Sequence, residues 1–189
     1  MIDLAHLRAE DRVLDLACGT GDLVFAAGAA RMAVGLDLTF RMLQLASRKR
    51  AGIQPYLVTG DMLALPFERS RFDVVTTGYG LRNVPSLSTA VAEIFRVLAP
   101  GGRLLSLDFN RPRNPIVRGV YLAYLTVVGS LAGLMLHGDP DTYRYIPESI
   151  RQYPGAHGVA SVMQAAGFTD VRVVPLLLGL MAIHIARKG

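Results

Sequence analysis

Short apolar runs alternate with segments of helical spacing along the first 110 or so residues of the chain. A run of apolar residues without polar alternation predicts a strand that is buried on both faces, as in a parallel sheet. Predicted strands begin at Val13 and cover Met32–Asp37, Pro55–Thr59, Phe72–Tyr79 and Arg103–Phe109. Predicted helices cover Leu23–Ala30 and Phe40–Ala51, and a third carries apolar residues at helical spacing from Leu87 to Leu98. This alternation predicts an α/β fold with a Rossmann-like, doubly wound sheet.

Three boundaries are predicted from local chemistry. Thr39 is placed to cap the second helix, which closes with Arg48, Lys49, Arg50 and Gly52. Pro100-Gly101-Gly102 is expected to stop the third helix before the fifth strand begins.

The C-terminal part is predicted to add a helix and two strands, which do not follow the parallel pattern of the first five strands. A helix with apolar positions from Val159 to Ala166 ends at Gly167, and strands follow at Val171–Val174 and Met181–Ala186. The link Pro175–Gly179 is too short for a crossover helix, so these strands must pair antiparallel. We therefore predict seven strands, mostly parallel with an antiparallel last strand, in a single domain over residues 1–189.

The first predicted strand runs into a glycine loop, Leu16-Ala17-Cys18-Gly19-Thr20-Gly21-Asp22-Leu23. Gly19 and Gly21 lack a Cβ, so the backbone can approach a ligand closely. A dinucleotide site needs a third glycine where Val24 stands, which weakens a nicotinamide interpretation. Asp22, in the first turn of the next helix, repels phosphate and favours a cationic ligand such as S-adenosylmethionine. The alternative is that the glycine loop only reverses the chain direction and binds no ligand.

Further polar residues follow the other predicted strands. Asp37 ends the second strand, where a carboxylate can accept both hydroxyls of a ribose. Asp61 and Met62 follow the third strand and can meet the amine and the face of a purine. Arg82 and Asn83 follow the fourth and are expected beside the reacting group, because ligands bind beyond the carboxyl ends of parallel strands. Asp61 as a turn residue, and Arg82 and Asn83 as solvated loop residues, are the alternatives.

The stretch from Val120 to Leu136 carries no charge and follows Arg111, Arg113 and Arg118. Its length is at the short limit for a membrane span. Because the last helix and strands must return to the same sheet, a buried helix or a lid over an apolar pocket is favoured. We expect a lid-like insertion over about residues 112–150, with contact to a membrane surface.

Composition narrows the function classes. The net charge is +5, but no basic run is interleaved with aromatic residues, so nucleic acid is not expected as a partner. Cys18 is the only cysteine, which rules out an internal disulfide and fits a reducing compartment; a small residue in a tight turn explains it better than a nucleophile does. Charges interrupt the first ten residues, so a signal peptide is not expected there.

Four motifs together resemble one family. They are Leu14-Asp15-Leu16-Ala17-Cys18-Gly19-Thr20-Gly21-Asp22-Leu23, Gly78-Tyr79-Gly80-Leu81-Arg82-Asn83-Val84, Arg96-Val97-Leu98-Ala99-Pro100-Gly101-Gly102 and Tyr143-Arg144-Tyr145-Ile146-Pro147-Glu148-Ser149-Ile150. The chain is similar to the class I S-adenosylmethionine-dependent methyltransferases, and within them to the ubiquinone/menaquinone biosynthesis C-methyltransferases. The resemblance runs from about Val13 to the C-terminus, where it ends in Ala182-Ile183-His184.

This resemblance implies C-methylation of a polyprenylated quinol by a cytoplasmic protein peripheral to the inner face of the membrane. Demethylmenaquinol is favoured as the substrate and a benzoquinol is the alternative. The resemblance implies S-adenosylmethionine as the cofactor, no metal, and a homodimer as one possible assembly. The cofactor positions are Asp15, Gly19, Thr20, Gly21, Asp37, Leu38, Asp61, Met62 and Gly78. The catalytic candidates are Arg82, Asn83 and His184, of which His184 competes for the role of base although a structural role is more common for a histidine on an apolar strand.

Two departures from the family pattern change the expectations. Gly78 stands where many relatives have serine, which removes a side-chain contact. Only about a dozen residues precede the first strand, so we expect an open pocket and weak cofactor binding, or a shortened start. Three alternatives stay open: a methyltransferase for another small molecule, an oxidoreductase, and a non-catalytic membrane-associated protein.

Overall fold

The computed structural model describes residues 1–49, 54–112 and 114–189. The helices are α1 Ile2–Ala5, α2 Asp22–Ala26, α3 Phe40–Ala46, α4 Leu87–Val97, α5 Pro115–His137, α6 Tyr145–Gln152 and α7 Gly155–Ala165. The strands are β1 Arg12–Leu16, β2 Met32–Asp37, β3 Tyr56–Thr59, β4 Phe72–Gly78, β5 Leu98–Phe109, β6 Phe168–Leu176 and β7 Met181–Lys188. Two short 3₁₀ turns, Leu81–Asn83 and Leu177–Gly179, follow β4 and join β6 to β7.

The strands form one sheet in the order β3-β2-β1-β4-β5-β7-β6. The first five are parallel, and β7 pairs antiparallel with both β5 and β6. The predicted seven-stranded α/β sheet with an antiparallel last strand is therefore confirmed. The chain leaves β1 toward β2 on one side and returns to β4 on the other, so the topological switch point lies between β1 and β4.

Both faces of the sheet are covered, as the continuous apolar runs predicted. Leu14 and Val75 are partners in register and pack toward Ile94 of α4. Val13 and Val74, one position earlier, face the opposite side. Alternate residues of one strand thus enter two cores on opposite faces of the sheet. Since both faces are covered, a ligand can reach the strands only at an edge of the sheet, such as the one formed by their carboxyl ends.

Several predicted boundaries are wrong. Helix α2 ends at Ala26 instead of Ala30, because Gly28 lies in the turns that close it and glycine disfavours a helical conformation. The extended backbone of β5 already starts at Leu98, before Pro100-Gly101-Gly102, and its pairing with β4 shifts register there.

The helix predicted over Phe40–Ala51 begins at Phe40 and ends at Ala46. Thr39 is its N-cap residue, but its side chain makes no capping hydrogen bond. Its predicted end at Arg50 and Gly52 lies outside the described residues.

The uncharged stretch lies within the long helix α5. Asn114 caps it by accepting hydrogen bonds from the backbone of Ile116 and Val117, Pro115 occupies its first turn, and Gly138 ends it in a left-handed conformation. The alternative of a buried helix is wrong, because most of its large apolar side chains are exposed. They are Ile116, Val117, Val120, Tyr124, Val127, Val128, Leu131, Leu134, Met135 and Leu136.

Among the described residues, the stretch Pro115–Leu136 is the one helical segment long and apolar enough to cross a membrane, on length and composition alone. The chain after α5 folds back along it. A Cβ at Gly129 would lie 3.4 Å from the Cβ of Tyr143, and one at Gly133 would collide with the backbone of Asp139. Gly133 therefore makes room for the turn that ends α5, and Gly129 makes room for Tyr143 in the returning segment, which also carries Asp141 and Arg144.

Candidate functional site

A cavity of about 630 Å³ opens at the carboxyl ends of the first four strands. This volume is in the range of sites for small molecules and cofactors. It is lined by Ala17, Gly19, Leu36, Asp37, Leu38, Thr39, Met42, Gly60, Asp61, Met62, Gly78, Tyr79, Gly80, Asn83, Val84, Pro85 and Tyr145.

The glycine loop forms one wall of this cavity. Gly19 and Gly21 both have positive φ angles, +54° and +89°, as the sequence predicted for a tight turn. A Cβ at Gly19 would meet nothing within 4 Å, whereas one at Gly21 would lie 2.8 Å from the Phe25 ring. Gly19 therefore leaves open space on the cavity side, and Gly21 allows the loop to pack against α2.

Asp37 ties the glycine loop to the end of β2. Its Oδ2 accepts a hydrogen bond from Gly19 N at 2.8 Å, and its Oδ1 accepts one from Thr39 N at 2.8 Å. The carboxylate is nearly buried, at 9% exposure, yet it lines the cavity. Each oxygen retains lone-pair capacity for a further donor, because a carboxylate has about four acceptor sites.

Asp61 and Met62 lie on the same side of the cavity as Asp37 and Leu38. Asp61 is exposed and its Oδ1 accepts a hydrogen bond from Leu63 N at 2.9 Å. Met62 is buried and presents an apolar surface. The predicted pairing of a carboxylate with an apolar side chain is thus present at the end of β3.

The structure brings together most of the predicted cofactor residues, but not all. Those that line the cavity are Gly19, Asp37, Leu38, Asp61, Met62 and Gly78. Asp15, Thr20 and Gly21 are not among its lining residues. The hydroxyl of Thr20 lies 3.5 Å from Lys49 Nζ, and the exposed Asp22 forms an ion pair with the same lysine. Asp22 therefore does not face the cavity, contrary to the argument that it attracts a cationic ligand there.

Asp15 is buried beneath the glycine loop in β1. Its Oδ1 accepts a hydrogen bond from Thr76 Oγ1 at 2.8 Å, while its Oδ2 has no partner among the described residues. Burial raises the pKa of Asp15 to about 7, against the lowering effect of the Thr76 hydroxyl. Burial likewise raises the pKa of the Cys18 thiol to about 12, which makes it a poor nucleophile.

Arg82 lies in the 3₁₀ turn after β4 and is buried in a polar network. Its Nε lies 3.0 Å from Asp108 Oδ1, and its backbone N donates to Asp108 Oδ2 at 3.1 Å. Its Nη1 donates to Asn83 Oδ1 and to Ser149 Oγ, both at 3.0 Å. The guanidinium carbon lies 5.1 Å from the centre of the Phe109 ring and 5.7 Å from that of Tyr145. Arg82 thus joins the end of β5 to α6.

Asn83, in contrast, reaches the cavity. Its Oδ1 is held by Arg82, and its Nδ2 donates to the carbonyl of Tyr79 at 3.1 Å. A second pocket of about 360 Å³ adjoins the cavity, and Asn83 and Tyr145 line both. Arg82 lines only the second pocket. The two residues predicted as a catalytic pair therefore have different positions, with Arg82 behind Asn83.

Asp108 completes this network from the end of β5. It is almost fully buried, and burial raises its pKa to about 6, while the charge of Arg82 and hydrogen bonds from the backbone of Phe109 and Arg82 oppose that rise. The hydroxyl of Tyr153 is buried nearby, without a hydrogen-bond partner among the described residues.

His184 is not among the residues that line the cavity. It lies on β7 between Ser106 and Val173 in register, fully buried, and its Nε2 lies 2.8 Å from the carbonyl oxygen of Ala156 in α7. Burial lowers its pKa below the usual value. This placement suits a neutral histidine that joins β7 to α7.

Some lining residues were missed from the sequence. Tyr79 has a positive φ of 59°, which a non-glycine residue rarely adopts, and it lines the cavity. At Gly80 a Cβ would lie 2.6 Å from Thr77 Oγ1, so no larger residue fits. Tyr145 reaches the cavity from α6, far away in sequence. All three residues belong to the family motifs, but the local sequence pattern does not predict that they line the cavity.

The residues present fit S-adenosylmethionine. The cavity offers a carboxylate for hydroxyl groups at Asp37, and a carboxylate beside an apolar side chain at Asp61 and Met62. The glycine loop adds open backbone at Gly19. No cationic side chain lines this cavity among the described residues, which suits a ligand with an ammonium and a sulfonium better than one with phosphates.

Comparison with known proteins agrees with this assignment. The ubiE/COQ5 methyltransferase family model matches residues 1–188, so the resemblance begins earlier than Val13. A demethylmenaquinone methyltransferase of Thermus thermophilus is 41% identical, over 99% of this chain and 87% of its own length. The ubiquinone/menaquinone biosynthesis C-methyltransferase UbiE of Dinoroseobacter shibae is 40% identical, over 100% of this chain and 78% of its own.

Solved structures show the same fold at low sequence identity. A methyltransferase of Thermotoga maritima, described as a possible histamine N-methyltransferase, superposes with a TM-score of 0.69 at 16% identity, over 98% of this chain and 86% of its own. A putative methyltransferase of Bacillus halodurans superposes with a TM-score of 0.67 at 20% identity, over 99% of this chain and 96% of its own. With the cavity, the sheet order and the sequence match in agreement, this chain belongs to the ubiE/COQ5 family of S-adenosylmethionine-dependent methyltransferases.

Proposed function

We propose that this protein transfers the methyl group of S-adenosylmethionine to a ring carbon of a polyprenylated quinol, with demethylmenaquinol as the favoured substrate. Its relatives are named demethylmenaquinone methyltransferase or ubiquinone/menaquinone biosynthesis C-methyltransferase, which supports a substrate of the quinone type. Menaquinone stands in both names, and for that reason a naphthoquinol is favoured. The observation that carries the proposal is a single cavity with Asp37, Asp61 and Met62 at one end and Asn83 at the other. A nucleoside cofactor and a reacting ring can therefore share one cavity.

In this proposal Asp37 accepts the ribose hydroxyls while its backbone partners keep both carboxylate oxygens oriented. Asp61 and Met62 hold the adenine, and the open backbone at Gly19 faces the remainder of the cofactor. S-adenosylmethionine supplies a methyl group on a positively charged sulfur, which is the electrophile of the reaction. Holding that methyl in line with a ring carbon supplies about 7 to 11 kcal/mol of barrier reduction.

Asn83 orients the quinol. Arg82 holds its amide oxygen, and one N–H bonds to the carbonyl of Tyr79, so the amide cannot flip without losing both contacts. The other N–H has no protein partner among the described residues and can donate to a hydroxyl oxygen of the substrate or to a water that removes the ring proton. Arg82 acts through Asn83 and through its positive charge, which favours ionisation of the quinol hydroxyl.

The test is methyl transfer by the purified protein to two reduced quinols, a demethylnaphthoquinol and a benzoquinol, each with an isoprenoid tail. We expect a mass increase of one methylene unit on the naphthoquinol ring. Transfer only to the benzoquinol would correct the substrate, and no transfer to either would overturn the proposal. Asn83→Ala should lower turnover by more than tenfold while the affinity for S-adenosylmethionine, measured by calorimetry, stays within a factor of three.

We also propose that the protein works in the cytoplasm as a peripheral protein at the inner face of the membrane, where a polyprenyl quinol resides. The exposed apolar side chains of α5 support membrane contact. The return of the chain along α5 opposes a membrane crossing, because Tyr143 lies against Gly129 in the helix and would carry Arg144 toward the hydrocarbon region. An arginine at the centre of a spanning helix costs about 2.5 to 3.5 kcal/mol. A homodimer stays a prediction, which light scattering of the purified protein tests.

A further inference from the structure

A second apolar groove lies outside the cofactor cavity, between the first turns of α5 and the start of β7. Its volume is about 390 Å³, and all of its lining residues in the described part of the chain are apolar or aromatic. They are Ile116, Val117, Val120, Tyr121, Tyr124 and Leu180. These described lining residues carry no charge that could compensate a charged ligand for its desolvation, so they favour an apolar ligand.

The groove is anchored to the end of β5. The carbonyl oxygen of Leu180 accepts hydrogen bonds from Tyr121 Oη at 3.1 Å and from the backbone N of Asn110 at 2.9 Å. The side chain of Asn110 donates to the carbonyl of Gly179 at 2.8 Å. These bonds join α5, the β6–β7 link and the carboxyl end of β5, so the groove is a formed feature of the fold.

The groove and the cavity share no lining residue, but the end of β5 contacts the walls of both. The ring of Phe109, the last residue of β5, lies 5.3 Å from the ring of Tyr79, which lines the cavity. Tyr121 lines the groove and is buried; burial raises its pKa to about 12, and Arg82, Tyr79 and Asp108 are all near enough to influence it. Phe109, which contacts Tyr79 of the cavity, is followed directly by Asn110, which bonds to Leu180 of the groove.

The link between β6 and β7, which leads to Leu180 of the groove, carries two further exposed leucines. Leu177 and Leu178 have positive φ angles of 49° and 56°, and they are 69% and 106% exposed. Two leucines that are both strained and exposed are costly for a chain in water, and strain of this kind concentrates at functional sites. The cost is reduced if an apolar ligand or lipid covers them.

We propose that this groove holds the isoprenoid tail of the quinol while the ring occupies the cavity. The inference rests on the proposed function. A tail attached to a ring beside Asn83 must leave the cavity along an apolar surface, and the groove offers such a surface, joined to the cavity wall at Tyr79 through Phe109 and Asn110. The uniform lining makes the site selective for hydrocarbon rather than for a particular tail length.

Val120→Trp tests the proposal, because Val120 lines the groove, is 67% exposed and can accept a larger side chain without disturbing the core. We expect the KM for a tailed quinol to rise at least tenfold, with the KM for the same quinol lacking its tail unchanged. Val127→Trp is the matched control, since Val127 is a valine on the same helix, 59% exposed and absent from the groove. Equal effects of the two variants, or an equal rise for the tailless quinol, would overturn the assignment.

A binding measurement separates this inference from the proposed function. The isoprenoid alcohol farnesol has no ring to methylate, so its binding is measured by calorimetry without cofactor or turnover. We expect the wild-type protein and Val127→Trp to bind it, and Val120→Trp to bind it at least tenfold more weakly. Failure of wild-type binding would refute the groove even if the quinol is methylated. A dimer that Val120→Trp dissociates without changing farnesol binding would instead identify the groove as an interface between two copies.

Discussion

At the scale of single residues, the carboxylate of Asp37 both stabilises the cavity wall and lines the cavity. Asp37 holds the glycine loop through Gly19 N and the start of α3 through Thr39 N, and it faces the cavity. Asp61 has one backbone partner and is exposed. The loss of Asp37 should therefore remove a ligand contact and loosen the wall that presents it.

Asp37→Ala is expected to weaken S-adenosylmethionine binding by about 10-fold to 150-fold, because charged hydrogen bonds contribute about 1.5 to 3 kcal/mol. Asp61→Ala should have a smaller effect, since an exposed contact competes with water. Calorimetry of both variants and the wild type checks this, with thermal unfolding as the control for folding. An unchanged affinity for Asp37→Ala would remove Asp37 from the cofactor site.

Asp108 and Arg82 make a pH-dependent pair at the same scale. Asp108 must be ionised to hold Arg82, and burial raises its pKa to about 6. As the pH falls through this value, the carboxyl takes up a proton, the ion pair is lost and the orientation of Asn83 through Arg82 weakens. The ion pair between Asp108 and Arg82 is therefore mostly formed above pH 6 and mostly lost below it.

We expect the turnover of the wild-type protein to fall below about pH 6, and Asp108→Asn to be slower than wild type above pH 6 and to lack this acid limb. Asp170→Asn is the control, because Asp170 is exposed on β6 and pairs with Arg172 away from the cavity. The prediction fails if Asp108→Asn retains an acid limb at the same pH as the wild type.

At the scale of elements, α5 combines features of a membrane span with the connections of a surface helix. Its apolar side chains are exposed, but its neighbours in sequence return to the sheet through α6. Arg111 and Arg118 lie at its N-terminal end, and Arg113 lies outside the described residues. An apolar helix flanked by cations suits the surface of an anionic bilayer, where each cation contributes about 1 kcal/mol.

Flotation with liposomes should show binding that rises with anionic lipid content and is reversed by salt and carbonate. Leu131→Glu should reduce binding, because Leu131 is 56% exposed on α5. Tyr56→Glu is the matched control, since Tyr56 is an even more exposed large residue, at 67%, on the distant edge strand β3. Retention in the membrane after carbonate washing would instead indicate an integral segment.

At the scale of the whole molecule, the buried carboxylate of Asp15 in β1 makes the free energy of unfolding depend on pH. It is hydrogen-bonded to Thr76 of the neighbouring central strand β4. Its folded-state pKa of about 7 is above the ordinary value of 3.8. Its contribution to stability is therefore complete below about pH 4 and is lost as the pH rises through 7, because ionisation is easier in the unfolded chain.

Between pH 5.5 and pH 8, Asp15 should cost the wild-type protein about 2 kcal/mol of unfolding free energy. Asp15→Asn should remove this dependence, so that the difference between variant and wild type shifts in favour of the variant at pH 8. Urea unfolding of both proteins at the two pH values measures that difference. A constant difference would show that Asp15 does not change its protonation over this range.

The sequence alone determined the alternation of strands and helices, the glycine loop and the antiparallel last strand. These features depend on neighbouring residues: an apolar run predicts a buried strand, Gly19 and Gly21 permit positive φ angles, and the short link after Pro175 permits only a hairpin. The position of Asp37 and Asp61 at the carboxyl edge follows from the same local pattern, because parallel strands end together.

Only the tertiary structure decided which side chain of a motif enters the cavity. Arg82 and Asn83 are adjacent in sequence, yet Arg82 turns toward Asp108 and Ser149, which are 26 and 67 residues away. Tyr145 reaches the cavity from α6, and the exposure of α5 depends on where Asp139 and Tyr143 fold back. The physical reason is that burial and ion pairing are set by contacts between distant segments, whereas hydrophobic periodicity reports only the local backbone conformation.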